Sequence, residues 1–202
     1  MKSSSEKNNT PRTFVIAMKS EADAVRPHLR PGDRLVVSGI GKVNAAAATQ
    51  RAILEGATDV WNVGVAGSVD PSMHVGDCFA VERAVEYDFD LSLVNGTSIG
   101  VHDERTSPYF ACALDGLDAL PRTTLATADR FVDTDEDFRT ITALGASLRD
   151  MEGAAVVHVC EANGVPCHVV KSVSDVRGHG TTTEQYRVNL KTALAALAAA
   201  LG

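Results

Sequence analysis

The sequence has little that would tie it to a metal, a membrane or a nucleic acid. Its four cysteines, Cys78, Cys112, Cys160 and Cys167, form no Cys-x-x-Cys pair. Neither a zinc framework nor a disulfide scaffold is legible, and reduced thiols in a cytosolic protein are the plain reading. There is no basic stripe: 26 Asp and Glu outweigh 19 Lys and Arg, for a net charge of −7. Such an acidic surface repels phosphate backbones, so polymeric nucleic acid is not an expected partner. No apolar run is long enough to span a bilayer, and Lys191 and Thr192 interrupt the Ala-rich C-terminal stretch. The segment from Met1 to Arg12 is polar and lacks the apolar centre of a signal peptide, so it reads as a disordered lead rather than an anchor. Repeats, linkers and low-complexity segments are also missing. No metal and no cofactor are expected.

What is present fits one soluble domain over residues 13–202. The chain has 202 residues, 45% of them hydrophobic and 22% charged, enough for a full core. The apolar run from Thr13 to Met18 predicts a buried strand. Ser20, with Asp23 three residues on, reads as the cap of a helix reaching Leu29. Strands are predicted at Arg34–Ser38, Asp59–Val63, Asp77–Val85, Thr123–Thr127 and Cys167–Val173. Helices are predicted at Val43–Glu55, Asp135–Leu144, Glu152–Ala162 and Thr183–Leu201. Gly56 and Asn163-Gly164 sit where helix ends want them, and Leu190, Leu194, Leu197 and Leu201 recur on one face of the last helix. The polar stretch from Asn95 to Pro108 reads as a surface loop. The alternation of strands and helices predicts an α/β fold: a single-domain, three-layer α/β/α arrangement with a mixed, largely parallel twisted sheet. Ligands of such folds bind beyond the carboxyl ends of the strands. The glycine-rich segments Gly39–Gly41, Gly64–Gly67 and Val176–Gly180 are expected as loops there.

Three acids stand out in that frame: Glu21, Glu152 and Asp175. Taken singly, each has a plain structural role, at a helix start where a carboxylate complements the dipole or at a turn after a strand. Their surroundings say more. Ile16–Val25 (IAMKSEADAV), Ser38–Ala46 (SGIGKVNAA), Asn62–Val69 (NVGVAGSV) followed by Val75–Asp77, and ADRFVD, RDMEGAA and KSVSDV between Ala128 and Val176 together resemble the nucleoside phosphorylase/nucleosidase superfamily. They resemble most the 5′-methylthioadenosine/S-adenosylhomocysteine nucleosidase branch. The phosphorylase-like fold is what this resemblance implies, over nearly the whole chain after Thr13.

The resemblance also implies roles. Glu21 matches the water-activating acid, and Asp175 the acid that protonates the purine, oriented by Ser174. Because an aspartic acid ionises near pH 4, that donor role requires a raised pKa or a shared proton. Glu152 matches the carboxylate that grips the ribose hydroxyls, with Met151 against the sugar. Phe131 matches the aromatic that stacks on the base, and the backbone of Val132 the group that reads the base edge. Further substrate contacts carry over to Ala17, Ile40, Val65, Gly67 and Lys171. The chemistry wants such a set: breaking an N-glycosidic bond builds positive charge on the ribose and pushes electrons onto the base. One carboxylate activates water while another acid assists the leaving group.

Two departures sharpen the expected reaction. Asn62 and Val65 stand where phosphorylases of the superfamily place an arginine and a phosphate-binding serine, and phosphate needs cationic and hydrogen-bonding partners. Water is therefore the expected nucleophile. Val65 also replaces a serine that positions the water in bacterial nucleosidases, and Lys171 stands where those enzymes carry arginine. After Tyr87-Asp88-Phe89-Asp90, the segment NGTSIGVHDERTSPYF is more polar than the family's lid, and His102, Asp103, Glu104 and Arg105 are either contacts to a polar 5′ group or a solvated loop. The leading expectation is hydrolysis of a 5′-modified adenosine to release adenine, in a cytoplasmic protein. Futalosine hydrolase or another purine nucleosidase is the alternative, then a purine nucleoside phosphorylase, then an inactive nucleoside-binding homodimer. The resemblance further implies a homodimer or larger homo-oligomer.

Overall fold

The computed structural model describes residues 10–102, 105–131 and 134–202. Eight strands are linked by helices into one mixed sheet. β1 (Thr13–Ile16) is buried throughout, and helix α1 (Lys19–Val25) follows at once, continued by a single 3-10 turn over Arg26–His28. Ser20 does not cap this helix. Met18 does, because the Glu21 carboxylate turns back to accept the Met18 N–H at 3.0 Å. β2 (Arg34–Val37) leads into α2 (Lys42–Leu54), whose small residues Ala45, Ala48 and Ala52 pack on the sheet. β3 (Val60–Ser68) and β4 (Cys78–Glu86) come next, then the single turn α3 (Ser92–Asn95), β5 (Tyr109–Ala111) and β6 (Arg122–Thr127). The chain closes with α4 (Asp135–Ala143), β7 (Leu148–Asp150), α5 (Gly153–Ala162), β8 (Cys167–Val176) and α6 (Thr182–Leu201).

The α/β class and mixed sheet agree with the sequence reading, and the sheet closes on itself more than that reading foresaw. The path runs β2-β1-β3-β7-β6-β4-β5, and β8 pairs with both β3 and β4. Strands β3, β7, β6, β4 and β8 therefore form a closed ring, and the sheet is partly barrel-like. Closure follows from length. β3 and β8 are nine and ten residues long, and the right-handed twist accumulated along them lets one long strand serve two neighbours. β3 runs straight through Gly64–Gly67, so that segment is strand rather than loop. The polar lead also ends earlier than expected: Arg12 is buried, and its guanidinium pairs with Asp33 at 2.6 Å. The core lies between ring and helices, around Val15, Val60, Leu125, Leu148, Val156 and Val169. All four cysteines are free thiols. Among the described residues, no helix is long and apolar enough to cross a membrane.

Candidate active site

A cleft of about 180 Å³ opens at the carboxyl ends of β1, β3 and β8. The topology brings Ala17 from the end of β1, Val65–Gly67 from β3, Asp150–Glu152 from the β7–α5 junction and Ser174-Asp175 from β8 to its wall. Ten of the residues that the sequence nominated line it: Ala17, Glu21, Ile40, Val65, Gly67, Phe131, Met151, Glu152, Ser174 and Asp175. Val132 lies outside the described residues. So do Asp103 and Glu104.

Glu21 is 3% exposed. Its Oε1 accepts the Val65 N–H at 2.9 Å and its Oε2 the Met18 N–H. This approach depends on Gly64, where a Cβ would stand 2.6 Å from Glu21 Oε1. Burial pushes the Glu21 carboxyl above its ordinary pKa, against the pull of Lys171 and the two backbone N–H groups. Glu152 is 8% exposed and accepts the Gly41 N–H at 2.8 Å. Gly41 has a φ of +100°, a conformation that only glycine adopts freely. Burial first and then neighbouring Asp150 push Glu152 up to about 7.

Asp175 is 1% exposed and receives two donors, Arg149 Nη2 at 2.5 Å on Oδ1 and Ser174 Oγ at 2.9 Å on Oδ2. Gly67 lies in register with Arg149 on one side and Asp175 on the other. Phe131 is 47% exposed at the rim, with its ring edge-on to Tyr186 at 5.8 Å.

Lys171 does not line the cleft. It is buried behind the wall, with Nζ 2.8 Å from Asp150 Oδ2. Burial alone would push its ammonium down, but Asp150, Glu152 and Glu21 outweigh it and raise it. Asp150 in turn accepts from Thr127 Oγ1 at 2.5 Å and from the Gly153 N–H at 2.8 Å, which fixes the start of α5. His102 and Arg105 also stay away from the cleft. His102 stacks on Phe89 at 3.7 Å, and Arg105 pairs with Glu161 and donates to the Tyr109 carbonyl at 2.9 Å. The sequence reading passed over Arg130, Arg149, Asp150 and Tyr186, all of which line the cleft.

Asn62 turns its amide away, donating to the Val15 carbonyl at 2.9 Å, and the Val65 N–H is already held by Glu21. The residues at the two phosphate positions thus commit these polar groups within the protein. Away from the cleft, Glu86, His102 and His158 bring three donor atoms within 4.8 Å of one another. The Lys42 ammonium stands 3.1 Å from Glu86 and supplies positive charge there.

Four carboxylates, Glu21, Asp150, Glu152 and Asp175, thus gather around the buried cations Lys171 and Arg149, with Phe131 at the rim. Residues 34–201 match the family model of the phosphorylase superfamily, and the chain belongs to this family. It is 33% identical over 158 residues to a 5′-methylthioadenosine/S-adenosylhomocysteine nucleosidase of Marinomonas sp. (strain MWYL1), covering 71% of this chain and 68% of that one. It is 31% identical over 155 residues to the aminodeoxyfutalosine nucleosidase of Campylobacter jejuni, with the same coverage of 71% and 68%. The fold matches a futalosine hydrolase structure of Helicobacter pylori strain 26695 with a TM-score of 0.84 at 24% identity, covering 96% of this chain and 97% of that one.

Proposed function

We propose that this chain is a purine nucleosidase that hydrolyses the N-glycosidic bond of a 5′-modified adenosine and releases adenine. One observation carries the reading: Glu21, held by two backbone N–H groups, shares a cleft with Glu152 and with the buried Asp175. Glu21 takes a proton from water as the water attacks C1′. A base whose pKa is raised by burial holds that proton more strongly than an exposed carboxylate. Glu152 accepts the ribose hydroxyls and stabilises the cationic sugar electrostatically, while Met151 lies against the ring. Phe131 stacks on the base, and Asp175 meets its edge.

The relatives' names support a 5′-thio substituent, and the Campylobacter relative supports a futalosine-type group as the second reading. The half-exposed Ile40 and Phe131 at the cleft rim, with the exposed Val43, Leu93 and Val94 elsewhere on the surface, support a homodimer that covers apolar surface. A cytoplasmic enzyme is the corresponding location.

Adenine release from methylthioadenosine and S-adenosylhomocysteine in phosphate-free buffer tests the reaction. Strict dependence on phosphate would sink the hydrolase reading. A panel of nucleosides varied only at the 5′ position separates the two substrate classes, and sedimentation equilibrium reads the assembly.

A further inference from the structure

A second cluster of titratable groups lies away from the cleft, where the carboxyl end of β4, the loop after it and α5 meet. Glu86 is the last residue of β4, and its side chain is 10% exposed. Its Oε2 is taken by the Lys42 ammonium at 3.1 Å, which also pairs with Asp88 at 2.6 Å. One ammonium divided between two carboxylates leaves these three groups with a formal net negative charge. Glu86 Oε1 is approached by two imidazoles instead. His158 Nδ1 stands 3.1 Å from it and His102 Nε2 3.9 Å, and the three atoms lie within 4.8 Å of one another. A histidine–carboxylate hydrogen bond accounts for His158 alone. It does not account for His102, whose Nε2 is buried without a hydrogen-bond partner among the described residues, and buried polar atoms rarely go unpaired. Aromatic rings hold both imidazoles: His102 stacks on Phe89 at 3.7 Å and His158 on Phe110 at 4.3 Å. The His158 side chain is 40% exposed, so a small ion can reach the cluster from solvent.

We propose that Glu86 Oε1, His102 Nε2 and His158 Nδ1 bind a divalent transition metal, zinc being the ion whose chemistry fits best. Two imidazole nitrogens and one carboxylate oxygen are a donor set that zinc accepts, at bonds of about 2 Å. A tetrahedral ion with such bonds separates its ligand atoms by about 3.3 Å. The spacing of Glu86 and His158 already suits it, and His102 closes the remainder by a small inward rotation. Three protein ligands leave the fourth position to water. Lys42, on the other oxygen of Glu86, is the kind of outer partner that fixes a ligating carboxylate. Magnesium and calcium, which want oxygen ligands, suit this set poorly. The ion would join the end of β4 and the loop at His102 to α5, the helix whose N-cap is Glu152. It takes no part in the proposed hydrolysis, and the site stands independently of that reading. Its ligands are spread over positions 86, 102 and 158, a spacing that forms no short motif, which is why the sequence announced no metal.

Titration of the chelator-treated full chain with zinc, in competition with a chromophoric chelator, tests the site. The wild type is expected to bind one zinc ion per chain with a Kd of about 10 μM or tighter, modest beside structural zinc sites that have four protein ligands. His102→Asn, His158→Asn and Glu86→Gln are each expected to weaken binding by about tenfold or more, since even the outer partners of a ligand are worth that much. His74→Asn, at an exposed histidine beside Asp77, is expected to leave binding unchanged, and excess magnesium is expected not to compete. A weaker wild-type Kd overturns the proposal, as does zinc binding that falls less than tenfold in the His102 or His158 variant. Should the variants fail to fold, cobalt(II) bound to the wild type decides. Four-coordinate cobalt with nitrogen and oxygen ligands gives strong visible bands and no sulfur charge-transfer band. A sulfur band would move the ion to the thiols, and the weak spectrum of six-coordinate cobalt would leave no such site; either overturns the proposal.

Discussion

The Lys171 ammonium lies 2.8 Å from the Asp150 carboxylate, and both side chains are almost fully buried, at 3% and 2% exposed. Breaking one partner of such a pair costs about 3–5 kcal/mol, because the charge left behind has no compensation. Lys171→Met is expected to lower the free energy of unfolding by that order in urea titrations. A loss below about 1 kcal/mol, the scale of an exposed pair, would mean that Asp150 finds another partner. The same substitution removes the cation that holds the Glu21 and Glu152 pKa values down. The alkaline shift of the activity profile is its second readout.

Stability and activity are expected to move in opposite directions with pH. The Glu152 carboxyl has an ordinary value of 4.5 and is pushed up to about 7 in the folded protein, chiefly by burial. A raised folded value favours the protonated form. The associated stability is complete below the unfolded value and is lost as pH rises through about 7. The loss from this group is at most about 3 kcal/mol. Glu21, also raised by burial, shifts stability in the same sense. Turnover by the proposed mechanism, in contrast, needs Glu21 ionised as the base and Glu152 ionised to accept hydroxyls, so kcat/KM is expected to rise with pH through the same window. Denaturant midpoints and initial rates measured from pH 5 to pH 8 in steps of about half a unit would resolve the two trends, since one group titrates over about two units. Stability that increases across that range would contradict the account.

Glu21→Gln is expected to lower kcat by about 10²- to 10⁴-fold, the usual contribution of a positioned base, while adenine still inhibits by binding the other end of the cleft. An equal loss of adenine binding and turnover would remove Glu21 from the role of base. The amide also sets an N–H₂ group against one of two backbone N–H donors, at Met18 or Val65. A modest fall in melting temperature should therefore accompany the kinetic effect.

Gly67→Ala is expected to reduce activity despite adding a single methyl group. The new Cβ would crowd the Arg149 guanidinium and Asp175 Oδ1 together, and neither can retreat from its buried position without parting from the other. A lower kcat/KM on methylthioadenosine with an unchanged circular dichroism spectrum would report displacement of the pair. Wild-type kinetics for this variant would show that the wall yields.

Long elements and motif-flanked acids were legible in the sequence because local signals specify them. Apolar runs mark β1, β4 and β8, and Glu21, Glu152 and Asp175 fall inside distinctive segments. What was missed depends on distant partners. β5 and β7 have three residues each, too few for periodicity to register, and β7 exists through its pairing with β3 and β6. Arg149 and Asp150 belong to that strand and open the RDMEGAA segment, but nothing local marks them as cleft residues. Tyr186 reaches the cleft from α6 because that helix packs on β8, a contact with no local trace. The resemblance implies a substrate contact for Lys171, whereas its ammonium is drawn behind the wall by Asp150, a partner 21 residues away that no local pattern announces.

Because Gly67 is in register with Arg149 on one flank and with Asp175 on the other, these three residues of the cleft wall are one mechanical unit within the strand ring. A change at one of them is felt by the others, and residues in such contact do not contribute additively. Reshaping this wall should therefore take coordinated replacements at several of these positions. The rim at Ile40 and Phe131 is exposed and outside that ring, so residues there can change one substitution at a time. An architecture of this kind holds the wall constant while the rim drifts.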